Sequence, residues 1–162
     1  MEWIDFILYM HVLGATILFG TGIGIAFFML MAHQTANPVV IAHVSRIVVY
    51  ADYLFTATAA IAQPLTGLIL ANHFGWPLGE GWLLAAIVLY LVVGLFWLPV
   101  VFIQKRMHDH AAAASEQGIP LSGDYHRLFT IWFAFGFPAF FAMLAIFWLM
   151  LFKPNLSFVP GF

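Results

Sequence analysis

The chain has 162 residues, of which 64% are hydrophobic and 7% are charged, and its formal net charge at pH 7 is −2. Soluble domains carry roughly 25% charged residues, so this composition predicts a single membrane domain, residues 1–162, with no room for a second, soluble domain. The absence of cysteine excludes disulfides, thiolate metal sites and cysteine nucleophiles, and the net charge gives no reason to expect nucleic acid as a partner.

Four long apolar runs, at residues 6–32, 47–72, 82–103 and 128–152, organise the sequence. A helix of about 20 apolar residues crosses the hydrocarbon layer of a bilayer, so each run is long enough to span it. Backbone groups are not hydrated there, which leaves helices or a closed barrel, and the strict alternation of barrel strands is absent. The sequence therefore predicts an all-α integral membrane protein, an antiparallel up-and-down four-helix bundle.

The basic residues predict the orientation of the bundle. Four spans place the first and third loops on one side of the membrane, and the middle loop and both termini on the other. The first side carries Arg46, Lys105, Arg106 and Arg127, whereas the second carries only Lys153. Because basic residues accumulate in cytoplasmic loops, both termini are expected on the outer side of a bacterial inner membrane.

The first run contains His11, one of two side chains in the four runs that titrate near neutral or acid pH. Counted from Trp3 at the outer interface, His11 lies about 12 Å deep. Gly14, one turn further in, removes side-chain bulk beside the imidazole. One interpretation is that this face, which lacks bulky side chains, lets another helix pack closely and hydrogen-bond the histidine. The other is that a haem b lies there and His11 ligates its iron.

Three further residues are candidate partners of such a haem. Met143 lies at the depth of His11 in the fourth run, and His73 lies at the outer mouth of the second. The iron would then use His11 with Met143, His11 with His73, or His11 alone. Lys153, at the outer surface, is a candidate partner for the haem propionates. Ordinary packing is the alternative role for Met143.

The same first run contains a Gly-x-x-x-Gly pattern at Gly20 and Gly24, on the face away from His11. Glycines at this spacing let membrane helices approach closely. The pattern would suit a homodimer through the first helix, and close packing within one bundle is the alternative.

Asp52, in the second run, is the other titratable residue, about one and a half turns past Arg46. A carboxyl group this far inside a span needs a partner, a proton or a water-filled cavity. Candidate contacts are Arg46, Arg127 and Gln104, and an Asp–Arg clamp joining helix ends is one interpretation. A proton-carrying role is another, and Gln63 would then line a polar path with Asp52.

Local signals predict where the helices begin and end. Asn37-Pro38 predicts that the second helix starts before the bilayer core, as an N-cap followed by proline at the first helical position. The glycine-rich turn 73–81 predicts an antiparallel hairpin, and the third helix is expected to continue into the cytoplasm until Gly118. Three prolines inside spans predict kinks, because each frees a carbonyl four residues earlier: Pro64, Pro99 and Pro138.

Most of the histidines map to the cytoplasmic side: His33, His43, His108, His110 and His126. Histidines in loops are usually solvated, and this is the simpler interpretation. His43 and His126, at the entries of the second and fourth helices, are also candidate ligands of a second haem on that side.

Several motifs resemble a bacterial four-span family known only as an integral membrane domain of unknown function. They are YMHVLG (9–14), ADYLF (51–55), PLTGLILA (64–71), WLPVVFIQKRM (97–107) and FGFPAF (135–140). The first helix is also similar to that of the small haem-binding protoporphyrinogen oxidases and of the copper-resistance D-type membrane proteins. The resemblance to the oxidases implies haem b on His11. Those oxidases use a lysine in a later span, and no span here contains one, which argues against that reaction.

Two hypotheses follow from these residues. The first is a haem b-binding redox protein that passes electrons between a quinol, a periplasmic partner or a small oxidant, either as an electron carrier or as a small oxidoreductase. The second is a non-redox membrane protein, such as a small transporter or an assembly subunit, in which His11 is structural and Asp52 lines a polar path. Haem colour in the purified protein would distinguish the two.

Overall fold

The computed structural model of the chain describes residues 2–156 and consists of long helices joined by short turns. In chain order these are α1 (Trp3–Gln34), α2 (Pro38–Ala51), a π-helical turn (Asp52–Thr56), α3 (Ala57–Phe74), α4 (Gly81–Gln117) and α5 (Gly123–Phe152). The segment Pro38–Phe74 forms one continuous span, so four helical units are long and apolar enough to cross a membrane. No strand occurs between residues 2 and 156. The prediction of an all-α four-span membrane bundle is confirmed.

The helix ends follow the predicted local signals. Asn37 caps α2 by accepting a hydrogen bond from the backbone N–H of Val39 at 2.9 Å, and Pro38 is the first helical residue. Helix α4 continues well past its apolar stretch and ends at Gly118, which adopts a left-handed φ of 64°. A side chain at such a φ is strained, so glycine is the residue suited to stop this helix.

The turn between α3 and α4 is the predicted hairpin. Gly75 ends α3 with a left-handed φ of 68°, and the next backbone N–H, that of Trp76, donates to the Ala71 carbonyl at 2.9 Å. This bond closes the last turn of the helix in the pattern typical of glycine-terminated helices. Helices α3 and α4 therefore run antiparallel with a short connection.

The bundle has two ends with different packing. The end that carries the turns 35–37 and 118–122 is called the basic end, and the end at which α1 begins and α5 ends is called the terminal end. The larger core cluster lies at the basic end and combines residues of α1, α2, α4 and α5, among them Met29, Ile41, Met107 and Tyr125. A smaller cluster at the terminal end includes Ala71, Trp82, Ala86 and Leu149.

Between these clusters the four spans separate into two pairs. Helix α3 packs along α1 and helix α4 packs along α5, whereas α3 and α4 have little close backbone contact. Residues 87–103 of α4 include no fully buried side chain. Contacts between the two pairs in the terminal half are made by side chains: Phe19 of α1 stacks on Phe140 of α5 with ring centres 5.6 Å apart, and the terminal cluster joins Ala71 of α3 to Trp82 of α4.

One hydrogen bond between the two pairs repairs the backbone at a proline. Pro64 lies inside α3 and has no N–H to donate, so the Ala60 carbonyl loses its usual helical partner. The Tyr90 hydroxyl of α4 donates to that carbonyl at 2.5 Å. A group on a neighbouring helix thus satisfies the orphaned acceptor, as a membrane interior requires.

Candidate functional site

His11 is partly buried where α1 packs against α3. Its Nδ1 atom lies 2.8 Å from the Thr66 hydroxyl oxygen. A second contact at the same place joins the Gln63 side-chain amide, which donates from Nε2 to the His11 carbonyl at 2.7 Å. Helix α3 therefore holds both the ring and the backbone of His11.

The hydrogen bonds around Thr66 assign the tautomer of His11. The Thr66 hydroxyl lies 2.7 Å from the Ala62 carbonyl, to which it donates its proton. Its oxygen is then an acceptor, so the His11 Nδ1 carries the proton and donates it. The other ring nitrogen, Nε2, keeps its lone pair. Histidines that ligate a metal through one nitrogen typically donate from the other to a fixed acceptor in this way.

Two glycines allow the close approach of α1 and α3. A Cβ atom on Gly14 would lie 2.5 Å from Gln63 Nε2, and a Cβ atom on Gly67 would lie 3.2 Å from His11 Cε1. The space beside Gly14 is therefore filled by Gln63, whereas the sequence-based haem interpretation assigned it to a porphyrin. Gly67 likewise leaves room for the His11 ring, and no sequence pattern singled it out.

The other candidate haem residues lie apart from His11. His73 is exposed, with its ring 5.6 Å from that of Trp3, and Met143 is partly buried on α5. Lys153 places its ammonium 4.2 Å from the centre of the Trp76 ring and 5.8 Å from that of Trp82. No hydrogen bond or ring contact found in residues 2–156 joins any of these three to His11.

Asp52 forms the centre of a second polar site. Its side chain is only 3% exposed, and its Oδ1 accepts a hydrogen bond from the Trp97 indole N–H at 3.1 Å. With the Gln104 amide oriented to satisfy both of its ends, the nitrogen donates to Asp52 Oδ2 at 2.7 Å and the oxygen accepts from the Trp132 indole at 3.1 Å. This hydrogen-bonded group, called the Asp52 network, joins the second, third and fourth spans.

The partners of Asp52 are neutral. Of the three contacts expected from the sequence, the structure shows Gln104, while Arg46 and Arg127 are exposed. The ion pair found among the described residues joins Lys105 to Asp109 at the surface, at 2.9 Å. An Asp–Arg clamp is therefore not what holds the carboxyl group. Trp97 and Trp132 were missed because apolar runs do not specify which faces of the helices meet.

The backbone at Asp52 is also unusual. Asp52–Thr56 forms a π-helical turn between α2 and α3, and such turns within α-helices often occur at functional sites. Thr56 closes the turn, and its hydroxyl oxygen is buried without a hydrogen-bond partner. A buried hydroxyl with no partner is costly, so its position beside Asp52 calls for an explanation.

The histidines at the basic end mostly have structural partners. His33 contacts the Tyr125 hydroxyl at 3.2 Å and stacks on Phe129 with ring centres 3.6 Å apart. His108 contacts the Ser45 hydroxyl at 3.1 Å. The proposed second haem ligands, His43 and His126, are both exposed. Over residues 2–156, no group of three or more histidine and carboxylate side chains is arranged to hold a metal ion.

Comparison with known proteins gives one match. No curated protein and no solved structure matches the chain. Residues 5–154 match a family described as a predicted integral membrane protein, DUF2269. This match covers nearly the whole chain and agrees with the four membrane helices, and the protein therefore belongs to the DUF2269 family of predicted integral membrane proteins.

Proposed function

We propose that this protein is a haem b-binding redox protein of the bacterial inner membrane in which His11 is an axial ligand of the iron. The observation that carries the proposal is the 2.8 Å contact between His11 Nδ1 and the Thr66 hydroxyl, in which Nδ1 is the assigned donor and Nε2 keeps its lone pair. An imidazole in this tautomer has the free ring nitrogen that haem iron takes as a ligand. Bound haem would supply one-electron transfer to the site.

The surroundings of His11 support this assignment in two respects. His11 is only partly buried where α1 meets α3. Lys153, the one basic residue expected on the outer side, lies at that end, where a propionate would need a cation. Met143 and His73 remain the candidate second ligands.

The proposed partners follow from the depth of His11 in the membrane. A haem near the terminal end would exchange electrons with a quinol in the bilayer or with a periplasmic redox partner, given the orientation predicted by the basic residues. A second haem through His43 and His126 would extend the path to the other side. A homodimer through Gly20 and Gly24 is also proposed, because both glycines have space beside them within the described residues. A Cβ atom placed on Gly20 would meet nothing within 4 Å, and one placed on Gly24 would meet only Phe28 of the same helix.

The second candidate is a non-redox membrane protein, a small transporter or assembly subunit, in which His11 is structural. One observation favours it: Thr66, Gly67 and Gln63 already account for the position of the ring and for the glycines beside it. The Asp52 network and Gln63 would then serve a polar path rather than accompany a cofactor.

Absorption spectroscopy distinguishes the two candidates. Protein purified from cells with ample haem should show a Soret band, and His11→Ala should abolish it or leave a weakly bound form. Thr66→Val should keep the haem but shift its spectrum or reduction potential, because the ligand loses the acceptor that polarises it. His110→Ala is the matched control on a histidine far from His11. Colourless wild-type protein, together with a His11→Ala variant that is merely less stable, would support the structural role instead.

A further inference from the structure

The Asp52 network combines features that neither a haem site nor simple packing requires. The chain has seven acidic residues. Six of them are exposed and Asp52 alone is buried. Burying a carboxyl group inside a membrane span is costly in either charge state unless its oxygens are hydrogen-bonded. The partners of Asp52 in each state therefore indicate what the group does.

No counter-charge is available to Asp52 inside the bundle. Residues 12–32 of α1, 91–104 of α4 and 128–152 of α5 contain no titratable side chain. On its own span the nearest such groups are Arg46, Tyr50 and Tyr53, all exposed. A permanently ionised carboxylate would then have only neutral donors for compensation, which is a poor substitute for a cation in a low-dielectric interior.

The ionised form of Asp52 nevertheless has hydrogen-bond donors in place. Trp97 donates an indole N–H to Oδ1 at 3.1 Å, and Gln104 donates an amide N–H to Oδ2 at 2.7 Å. Each carboxylate oxygen thus receives one hydrogen bond. Trp132 fixes the Gln104 amide by donating to its oxygen, so the donor that faces Asp52 cannot turn away without losing a second bond.

The protonated form of Asp52 also has a hydrogen-bond acceptor in place. An acid O–H needs an acceptor, and Thr56 lies one turn along the same face, with a buried hydroxyl that has no other hydrogen bond. Four other helical threonines donate their hydroxyl protons to the carbonyl four residues earlier: Thr16, Thr58, Thr66 and Thr130. At the π-helical turn Thr56 does not make this hydrogen bond, so its hydroxyl oxygen remains available to Asp52.

We propose that Asp52 is a proton-binding site that takes up and releases one proton within the membrane. In the acid form its O–H donates to the Thr56 hydroxyl. On release the O–H bond breaks, the proton passes to water, and the electron pair stays on the carboxylate, which Trp97 and Gln104 then stabilise. No oxidant or reductant takes part. This site stands apart from the haem proposal, since it rests on none of the residues around His11.

Infrared spectroscopy of the protein in lipid nanodiscs tests the proposal. Spectra are recorded between about pH 4 and pH 10. Wild-type protein should show a carboxyl band that converts reversibly into a carboxylate band as the pH rises. Asp52→Asn should lose this transition, whereas Asp109→Asn, a control at an exposed acid, should keep it. Thr56→Val should shift the carboxyl band, because the acid loses its acceptor.

Three results would overturn the proposal. A carboxylate band assigned to Asp52 at every pH would show permanent ionisation, and a carboxyl band at every pH would show that the proton is never exchanged. A transition that follows sodium concentration rather than pH would show a cation site. If Asp52→Asn does not fold, wild-type protein with aspartate isotope-labelled at its side-chain carboxyl carbon gives the same assignment, since the other three aspartates are exposed.

Discussion

Hydrogen bonds between α1 and α3 explain why a small residue is needed at position 14. Gln63 reaches across to the His11 carbonyl over the surface that Gly14 leaves bare. The amide nitrogen lies at the end of a flexible side chain, so it would be displaced by added bulk rather than block the helices from meeting. The contact between these helices therefore depends on one glycine and one amide.

Gly14→Ala should accordingly destabilise the protein by about 1–3 kcal/mol, because the added Cβ displaces Gln63 and breaks its hydrogen bond. Thermal unfolding in detergent would measure the loss. Gly22→Ala is the matched control, since a Cβ there meets nothing within 4 Å. Combining Gly14→Ala with Gln63→Ala should cost less than the sum of the two single changes, and strict additivity would contradict the contact.

At the residue scale, the sequence identified the two sites but not their partners. His11 and Asp52 stand out because they are the titratable groups in otherwise apolar runs. Thr66, Trp97 and Trp132 lie on other helices, and the rotation of each helix about its axis decides which side chains meet. An apolar run that is hydrophobic on all faces does not specify that rotation. The two interpretations of Gly14 remained open for the same reason.

At the scale of the helices, the interruptions of the second span organise its contacts. Proline at position 64 and the π-helical turn at Asp52–Thr56 both disturb the regular backbone bonds of this span. In each case α4 supplies the hydrogen-bond donors: Tyr90 for the Ala60 carbonyl, and Trp97 with Gln104 for Asp52. The third span thus stabilises the irregular parts of the second.

Tyr90→Phe should destabilise the protein by about 1–3 kcal/mol, because the Ala60 carbonyl loses the donor that replaces its missing backbone partner. Tyr53→Phe, at an exposed tyrosine of the second span, is the control and should be near neutral. In a Pro64→Ala background the restored backbone N–H can donate to Ala60, so Tyr90→Phe should then cost less. An equal cost in both backgrounds would show that Tyr90 does not compensate for the proline.

The helix boundaries were the most predictable feature at this scale. Asn37-Pro38 and Gly118 end or begin helices through local backbone chemistry, and the structure places α2 and α4 accordingly. The π-helical turn gave no such signal, since Asp52–Thr56 lies in a continuous helical pattern. Its position follows from the demands of tertiary packing rather than from the local sequence.

At the scale of the whole molecule, the distribution of basic residues predicts the orientation in the membrane. Arg46, Lys105, Arg106 and Arg127 all lie towards the basic end, and Lys153 lies at the terminal end. A reporter fused to the C-terminus should therefore behave as periplasmic, and one inserted at Ser122 should behave as cytoplasmic. Reporter activity and protease accessibility would both measure this, and the opposite labelling would reverse the assignment of the two ends.

The position of the main core bears on how a molecule from the bilayer would reach His11. Ile41 and Tyr125 precede their apolar runs and Met107 follows its own, so these fully buried residues lie towards the water at the basic end. Water makes apolar packing favourable there, whereas lipid offers apolar side chains the same environment that a neighbouring helix does. The basic end therefore contributes more to holding the four spans together than the lipid-facing stretch of the bundle does. His11 is only partly buried in that stretch, so a molecule dissolved in the bilayer would reach it sideways, directly from the lipid, without any aqueous route.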